Sequence, residues 1–319
     1  MAKSKNIIIS SIIFDKKLID LCLRVHISLS NINYSSVFLE LPYGLDDNSQ
    51  NVKRIRNCLS FWLPNLIKLE NKFSSCSVFK LNASDWPQPG YLSMVDEDTK
   101  NLIPDEYAMF ESLNLDRVKY WENYNTFLST WTERFPSLFW RGSTTGDPIK
   151  SMNELSNLLR VKVCIMYEKN KNMDLKITNI VQNNIPKSLV REWLKSKSIY
   201  SKRVREASFM KFKYYLDIPG NNKHGCSWGT IKKFLRGNLV FKPIHIQKLL
   251  YETDMEPYIH YIPIKTDYSD LDEVLHWAID NESLASKIAW EGHLKSLDYL
   301  KRIDDIFIES CLSNISSFY

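Results

Sequence analysis

The chain has 319 residues, a net charge of +5 and an apolar share of 44%. That length exceeds one small core and fits two domains of ordinary size, and the apolar content excludes a disordered chain. The mild basic balance excludes the concentrated basic face of a dedicated nucleic-acid binder and suits an anionic small molecule or glycan.

In chain order, Ile7–Ile9 and Ile12–Phe14 form a short apolar run closed by Asp15, Lys16 and Lys17, which reads as a first buried strand and not as a signal peptide. Val37–Leu41 and Ser77–Leu81 are further strand-type runs. Between them, Leu59, Trp62, Leu63, Leu66 and Ile67 recur at helical spacing within Ile55–Leu69, with a kink or break expected at Pro64. Ser137–Trp140 predicts a strand ending in a Gly/Thr loop, Ser151–Leu159 a helix, and Val161–Tyr167 a strand. Phe212–Ile218 predicts a strand ending at Pro219–Gly220, followed by a helix over Ser227–Leu235 that Gly237–Asn238 stops. Leu239–Lys242 and Tyr258–Ile264 are strands. Ser269, with Asp272 three residues on, opens a helix in a capping-box pattern, its buried stripe formed by Leu271, Val274, Leu275 and Ala278. No apolar stretch approaches the roughly 20 residues of a membrane helix, so any membrane contact is expected to be peripheral.

Six cysteines, at 22, 58, 76, 164, 226 and 311, show no two-residue gap of a zinc or redox motif, and a reduced, cytoplasmic setting is the simpler reading. The strand–helix alternation implies an α/β fold with a parallel sheet covered on both faces. Ligands of such sheets bind beyond the carboxyl ends of the strands. Three loops follow separate strands there: Arg141–Lys150, Pro219–Trp228 and Lys265–Asp270. In the first, Arg141 can hold a diphosphate bidentately or pair with an acidic side chain. In the second, free N–H groups at a helix start suit an anion. In the third, Asp267 and Asp270 either accept ribose hydroxyls or cap the helix. His260 reads as a packed core histidine. Asp96-Glu97-Asp98 has the look of a metal-binding Asp-x-Asp but no partner ligand in the pattern, so it reads as a solvated acidic turn, and no metal or other cofactor is expected. Residues 195–213 carry seven Lys and Arg against Glu206. They read as a solvated basic face, or as an attraction for an anionic donor, a phosphorylated glycan or an anionic membrane surface; no nucleic-acid module accompanies them.

Three segments in order resemble glycosyltransferase family 90, the capsule-associated, lipopolysaccharide-modifying and protein O-glucosyltransferase-like family. Phe139-Trp140-Arg141-Gly142-Ser143-Thr144-Thr145-Gly146 resembles its Arg-Gly-Ser/Thr block. Lys213–Gly220 followed by Ser227–Phe241 resembles its central strand, donor loop and helix. Tyr258–Asp267 with Ser269-Asp270-Leu271 resembles its most recognisable block. Upstream, Asp85-Trp86-Pro87-Gln88 resembles the segment that holds the catalytic aspartate. The resemblance covers about residues 75–300 and implies a GT-B fold, two Rossmann-like domains facing across a cleft. Residues 1–135 would form the acceptor side, 136–290 the donor domain, and 291–319 a helix packing back on the first domain. It also implies an inverting, metal-independent transfer from a UDP-sugar, glucose or xylose, to a hydroxyl of a glycan, lipopolysaccharide or protein-linked acceptor. Asp85 is the implied base, with Arg141, Ser143, Lys150, Gly225, Cys226, Ser227, Trp228, Gly229, Asp267 and Asp270 on the donor. One departure stands out: Ser227-Trp228-Gly229 replaces the Ser-aromatic-Arg of the animal enzymes. That departure suggests a rival, a nucleotide-sugar-binding protein that has lost catalysis; a basic polysaccharide-binding module is a second.

Overall fold

The computed structural model describes residues 6–15, 22–31, 34–42, 50–69, 77–117, 121–221, 225 and 227–314. The chain divides into two compact units. Residues 1–115, 248–253 and 300–319 make the first, and residues 116–247 and 254–299 the second.

The first unit contains β1 (Asn6–Asp15), β2 (Cys22–Asn31), β3 (Tyr34–Pro42), α1 (Gln50–Leu69), β4 (Ser77–Asn82) and β5 (Leu92–Ser93), with the strands ordered β1-β3-β2-β4-β5. β1 and β3 run parallel, but β2 runs antiparallel to both β3 and β4. Strand β2 is not predicted from the sequence, and it makes this sheet mixed where a Rossmann-like one was expected. Only two residues separate β2 from β3, and so short a link joins antiparallel neighbours. Helix α1 runs through Pro64 without a break. The carbonyl that proline deprives of its partner belongs to Ser60; both residues are exposed, so water can serve it. The inner face of α1 buries Ile55, Cys58, Phe61, Trp62 and Leu66. Against it lies α10 (Ile303–Ser313): Phe307 meets Phe61 edge-to-face at 5.8 Å, and Asp304 accepts from Asn65 and Lys68 at 3.1 and 2.8 Å.

A second, short sheet pairs β6 (Val95–Asp96) with β11 (Lys248–Leu249). Helix α2 (Glu106–Ser112) is capped by Asp105, whose Oδ1 accepts from the N–H groups of Tyr107 and Ala108 at 2.9 and 3.1 Å. Asp105 is fully buried and its Oδ2 has no hydrogen-bond partner among the described residues. Burial pushes this carboxyl up to about 7, against the pull of the two N–H groups.

The second unit holds α3 (Tyr124–Thr132), β7 (Phe135–Ser143), α4 (Met152–Asn157), α5 (Leu159–Met166), β8 (Met173–Asn179), α6 (Lys187–Ser196), β9 (Phe212–Leu216), α7 (Thr230–Leu235), β10 (Leu239–Pro243), β12 (Ile262–Ile264), α8 (Leu271–Asp280) and most of α9 (Glu282–Lys301). Its five strands are all parallel, in the order β8-β7-β9-β10-β12. The first strand of the unit is thus second in the sheet, the doubly wound order, and the winding reverses between β7 and β9. Strand β10 is buried along its whole length, which is why Leu239-Val240-Phe241 reads as an unbroken apolar run.

Two predicted strands are corrected. Val161–Tyr167 lies in and just after α5. Its β-branched residues suggest a strand, but Arg160, Val161, Cys164 and Tyr167 are buried at helical spacing, and the second strand is β8 instead. Of Tyr258–Ile264 only the last three residues are strand. Tyr258 has φ 62°, and His260 is a half-buried turn residue whose Nδ1 accepts the Glu256 N–H at 2.9 Å, not a core histidine. Among the described residues no helix is long and apolar enough to cross a membrane.

The buried cap yields a pH signature. A carboxyl whose pKa is raised in the folded state stabilises it below the unfolded value, and that contribution is lost as pH rises through the folded pKa, here about 7. Asp105→Asn keeps the accepting oxygen for both N–H groups and removes the titration. It is expected to melt a few degrees above wild type at pH 8, with the gap closing towards pH 4. Equal melting temperatures across this range in differential scanning calorimetry would contradict the account.

Candidate active site

One side chain draws the carboxyl ends of β7 and β9 together. Arg160, on α5, is buried and donates Nη1 to the Ser143 carbonyl at 3.2 Å, Nη2 to that of Ile218 at 3.0 Å and Nε to that of Pro219 at 2.9 Å. Its guanidinium carbon also lies 5.6 Å from the centre of the Trp140 ring. Burial holds Arg160 below the usual guanidinium range, with Tyr215 and Asp217 pulling the other way. Gly220 permits the approach: a Cβ there would stand 3.1 Å from Arg160 Nη2 and 3.2 Å from Thr145 Cγ2. Gln182, beyond β8, ties the same two loops, donating to Asn221 Oδ1 at 2.8 Å and accepting the Gly146 N–H at 2.9 Å. Residues 143–146 and 218–221, which begin the loops after β7 and β9, therefore lie side by side at the topological switch point, where open α/β sheets bind ligands.

Ser143 ends β7, its hydroxyl bonded to that of Thr145. Lys150 is exposed just before the N-cap residue Ser151, and its backbone N–H donates to Glu154. Arg141 takes the second of the roles its sequence allows. It points to the Phe139 side of β7 and donates to the Asp174 carboxylate at 2.5 Å and to the Asp174 carbonyl at 2.7 Å. Its guanidinium carbon lies 4.2 Å from the centre of the Phe139 ring. An arginine so engaged fastens β7 to β8.

Across the switch point, Asp217 leaves β9 completely buried. Its Oδ1 accepts the Ser227 N–H at 3.0 Å and the Thr230 hydroxyl at 2.6 Å. Gly225 is buried, Ser227, Trp228 and Gly229 are half-buried, and Cys226 lies outside the described residues. The expected helix N-terminus is a lesser feature than its sequence suggests. Helix α7 begins only at Thr230, has six residues, and is entered through a turn already held by a carboxylate. At Gly229, φ is −78° and a Cβ would meet nothing within 4 Å.

Asp267 and Asp270 build their own turn. Asp267 Oδ1 accepts the N–H and hydroxyl of Ser269 at 3.1 and 2.8 Å, bonds that hold its carboxyl below the usual range. Asp270 accepts the Lys265 N–H at 3.0 Å and stands at the N-cap of α8 without a side-chain cap bond, so the capping box expected of Ser269 and Asp272 is absent. Tyr268 between them is buried at φ 63°, donating its hydroxyl to the Asp217 carbonyl at 3.1 Å. Lys213 of the basic set is internal, and so are two later lysines, Lys233 and Lys242. Lys213 pairs with Glu282, Lys233 pairs with Glu206 and lies 3.6 Å from the Phe209 ring centre, and Lys242 lies 4.5 Å from that of Tyr261.

In the first unit, Asp85 stands in the loop after β4. Asn82 Nδ2 donates to the Trp86 carbonyl at 2.7 Å and Ser84 Oγ to the same oxygen at 2.6 Å. This bonding fixes the Asp85–Trp86 backbone and leaves the indole 43% exposed. Arg54 of α1 donates to Asp85 Oδ1 at 3.0 Å, and its Nε lies 3.6 Å from Glu106. Asp96 and Asp98 each accept a backbone N–H of their own turn, from Asp98 and Lys100, both at 3.0 Å. Among the described residues no group of three His, Cys, Asp or Glu side chains is gathered for a metal. Arg54, Arg160 and Asp217 are the site residues that sequence reasoning does not assign. Each acts through a partner at least ten residues away, and no local spacing signals such a pairing.

The chain is 27% identical to protein O-glucosyltransferase 2 of Danio rerio over 221 residues, 67% of this chain and 39% of that one. It is 32% identical to protein O-glucosyltransferase 1 of Rattus norvegicus over 120 residues, 37% of this chain and 30% of the other. It thus spans well under half the length of these curated relatives. A solved structure, Anabaena HepE in complex with UDP and glucose, superposes with a TM-score of 0.37 at 9% identity over 58% of this chain and 50% of that one, too loosely to carry weight. The family description that matches is glycosyl transferase family 90, over residues 109–303, more than half the chain and the whole of the switch-point sheet. The chain belongs to glycosyl transferase family 90.

Proposed function

We propose that the chain transfers a sugar, glucose or xylose, from a UDP-sugar to a hydroxyl of a glycan, lipopolysaccharide or protein-linked acceptor, with inversion and without a metal. The observation that carries this reading is the pairing of the loops after β7 and β9, through residues 143–146 and 218–221, at the switch point of a parallel sheet in a family 90 chain. In this reading the two units are the halves of a GT-B enzyme. The donor's diphosphate lies along the backbone of these loops, with Ser143, Lys150 and Ser227–Gly229 as its contacts. Asp267 and Asp270 shape the loop beside the nucleoside rather than gripping it. Asp85 takes the proton from the attacking hydroxyl, and Arg54 orients its carboxylate. Metal independence is supported by the acidic turn, whose carboxylates at Asp96 and Asp98 serve their own backbone. A cytoplasmic setting suits Cys58, Cys164 and Cys311, which are free thiols in the core, with any membrane contact peripheral.

A second reading, a nucleotide-sugar-binding protein without catalysis, is favoured by Gly229 and by the ion pair on Asp85. Turnover of a UDP-sugar panel separates the two, since a transferase slowly hydrolyses its donor even without acceptor. The whole set returning no hydrolysis while UDP still binds would decide for the second reading.

Three outcomes follow from the first. Turnover is expected to survive EDTA; complete loss restored by manganese would reject metal independence. Asp85→Asn is expected to lower transfer by roughly 10²–10⁴ while UDP binding and melting temperature stay near wild type; near-normal transfer by the folded variant would move the base elsewhere. Gly229→Arg, at an ordinary φ and facing open space, is expected to tighten UDP binding by about tenfold through one charge-assisted contact without loss of stability. Calorimetry showing unchanged affinity would separate this loop from the diphosphate.

A further inference from the structure

Next to the switch point lies a polar pair that the reaction above does not use. Beyond β10 the chain brings His245 back over the end of β9, its Nε2 3.7 Å from Asp217 Oδ2. The His245 side chain is 6% exposed and that of Asp217 is wholly buried. Among the described residues, neither of the two facing atoms has a hydrogen-bond partner. Two buried polar atoms left unserved are costly separately and cheap together. The gap is less than 1 Å beyond hydrogen-bond length. The other oxygen of the same carboxylate is the one that holds the Ser227 N–H and the Thr230 hydroxyl. Tyr268 bonds the Asp217 carbonyl.

We propose that His245 is a positioning residue for the 227–230 turn: its Nε2–H donates to Asp217 Oδ2, and the carboxylate so oriented holds Ser227 and Thr230 in place. Its functional half rests on the donor reading of this loop, in which a loosened Ser227 costs affinity for the diphosphate. The contact itself does not depend on that reading.

The test uses the full chain with two substitutions. His245→Leu keeps bulk without an N–H, and His245→Gln restores an N–H within reach of the carboxylate. Amide hydrogen exchange of residues 227–231 in the ligand-free protein is expected to quicken by about tenfold in the Leu variant and to return near wild type in the Gln variant. UDP affinity by calorimetry is expected to follow the same order, about tenfold weaker and then recovered. A wild-type chain that shows the exchange pattern but binds no UDP would end the donor reading and leave the positioning role standing. Unchanged exchange in folded His245→Leu overturns the proposal whatever UDP does. His245→Phe, also without an N–H suited to the carboxylate, serves as the second variant should the Leu chain not fold, and normal exchange there overturns the proposal equally.

Discussion

Three carbonyl oxygens from the ends of two neighbouring strands converge on the buried guanidinium of Arg160. Strand ends in a parallel sheet point their last carbonyls in one direction, and without donors these groups would be left poor in partners. A guanidinium fits them because its planar fork offers five N–H groups at fixed angles. Taking such a cation out of water is costly unless it is fully engaged. The carbonyls, the face of Trp140 and the nearby carboxylate of Asp217 supply that engagement. The loops after β7 and β9 are therefore kept parallel and close by charge solvation rather than by apolar packing. Gly220 leaves room where they touch.

The same economy recurs around Asp217 and in the first unit around Asn82. In each case one short polar side chain at a strand end organises the loop that follows. Asp217 gathers a backbone N–H and a hydroxyl from ten and thirteen residues downstream. Asn82 holds the Trp86 carbonyl and the Ser93 hydroxyl. Site residues on such loops inherit the rigidity of the sheet without being part of it, which suits groups that must meet a substrate at fixed geometry.

Much of the second unit was legible in the sequence because β9 and β10 are buried on both faces and its loops carry Gly and Pro at their turns. Those signals located β7, β9 and β10 and the loops that matter, with the ends of each element shifted by a few residues. Val161–Tyr167 misled because β-branched residues favour strands in isolation, whereas here packing against β8 decides for a helix. The antiparallel β2 was overlooked although Leu23, Val25, Ile27 and Leu29 alternate with polar residues, the sequence pattern of a strand with one apolar face. At the site, Ser143 and Ser227 were reachable from motifs. The engagement of Arg141 with Asp174 was foreseeable only as an alternative, since a sequence shows that an arginine follows a strand but not which neighbour awaits it. Arg160 fell between the predicted helix ending at Leu159 and the misread segment starting at Val161, and His245 had no signal at all.

Tyr268 carries a consequence for the order of assembly. A bulky residue in the left-handed region costs about 1–3 kcal/mol, so the turn at 265–270 has little reason to form by itself. What compensates is distant: its hydroxyl reaches the carbonyl of Asp217, and its own carbonyl accepts the hydroxyl of Tyr167 at the end of α5. Both partners lie in parts of the sheet that come earlier in the chain. The turn is therefore expected to settle only after β9 and α5 have docked, with α8, which starts three residues later, taking its final direction then. The edge of the sheet at β12 would in this sense close last, beside a residue whose strained backbone is offset only by contacts with the centre.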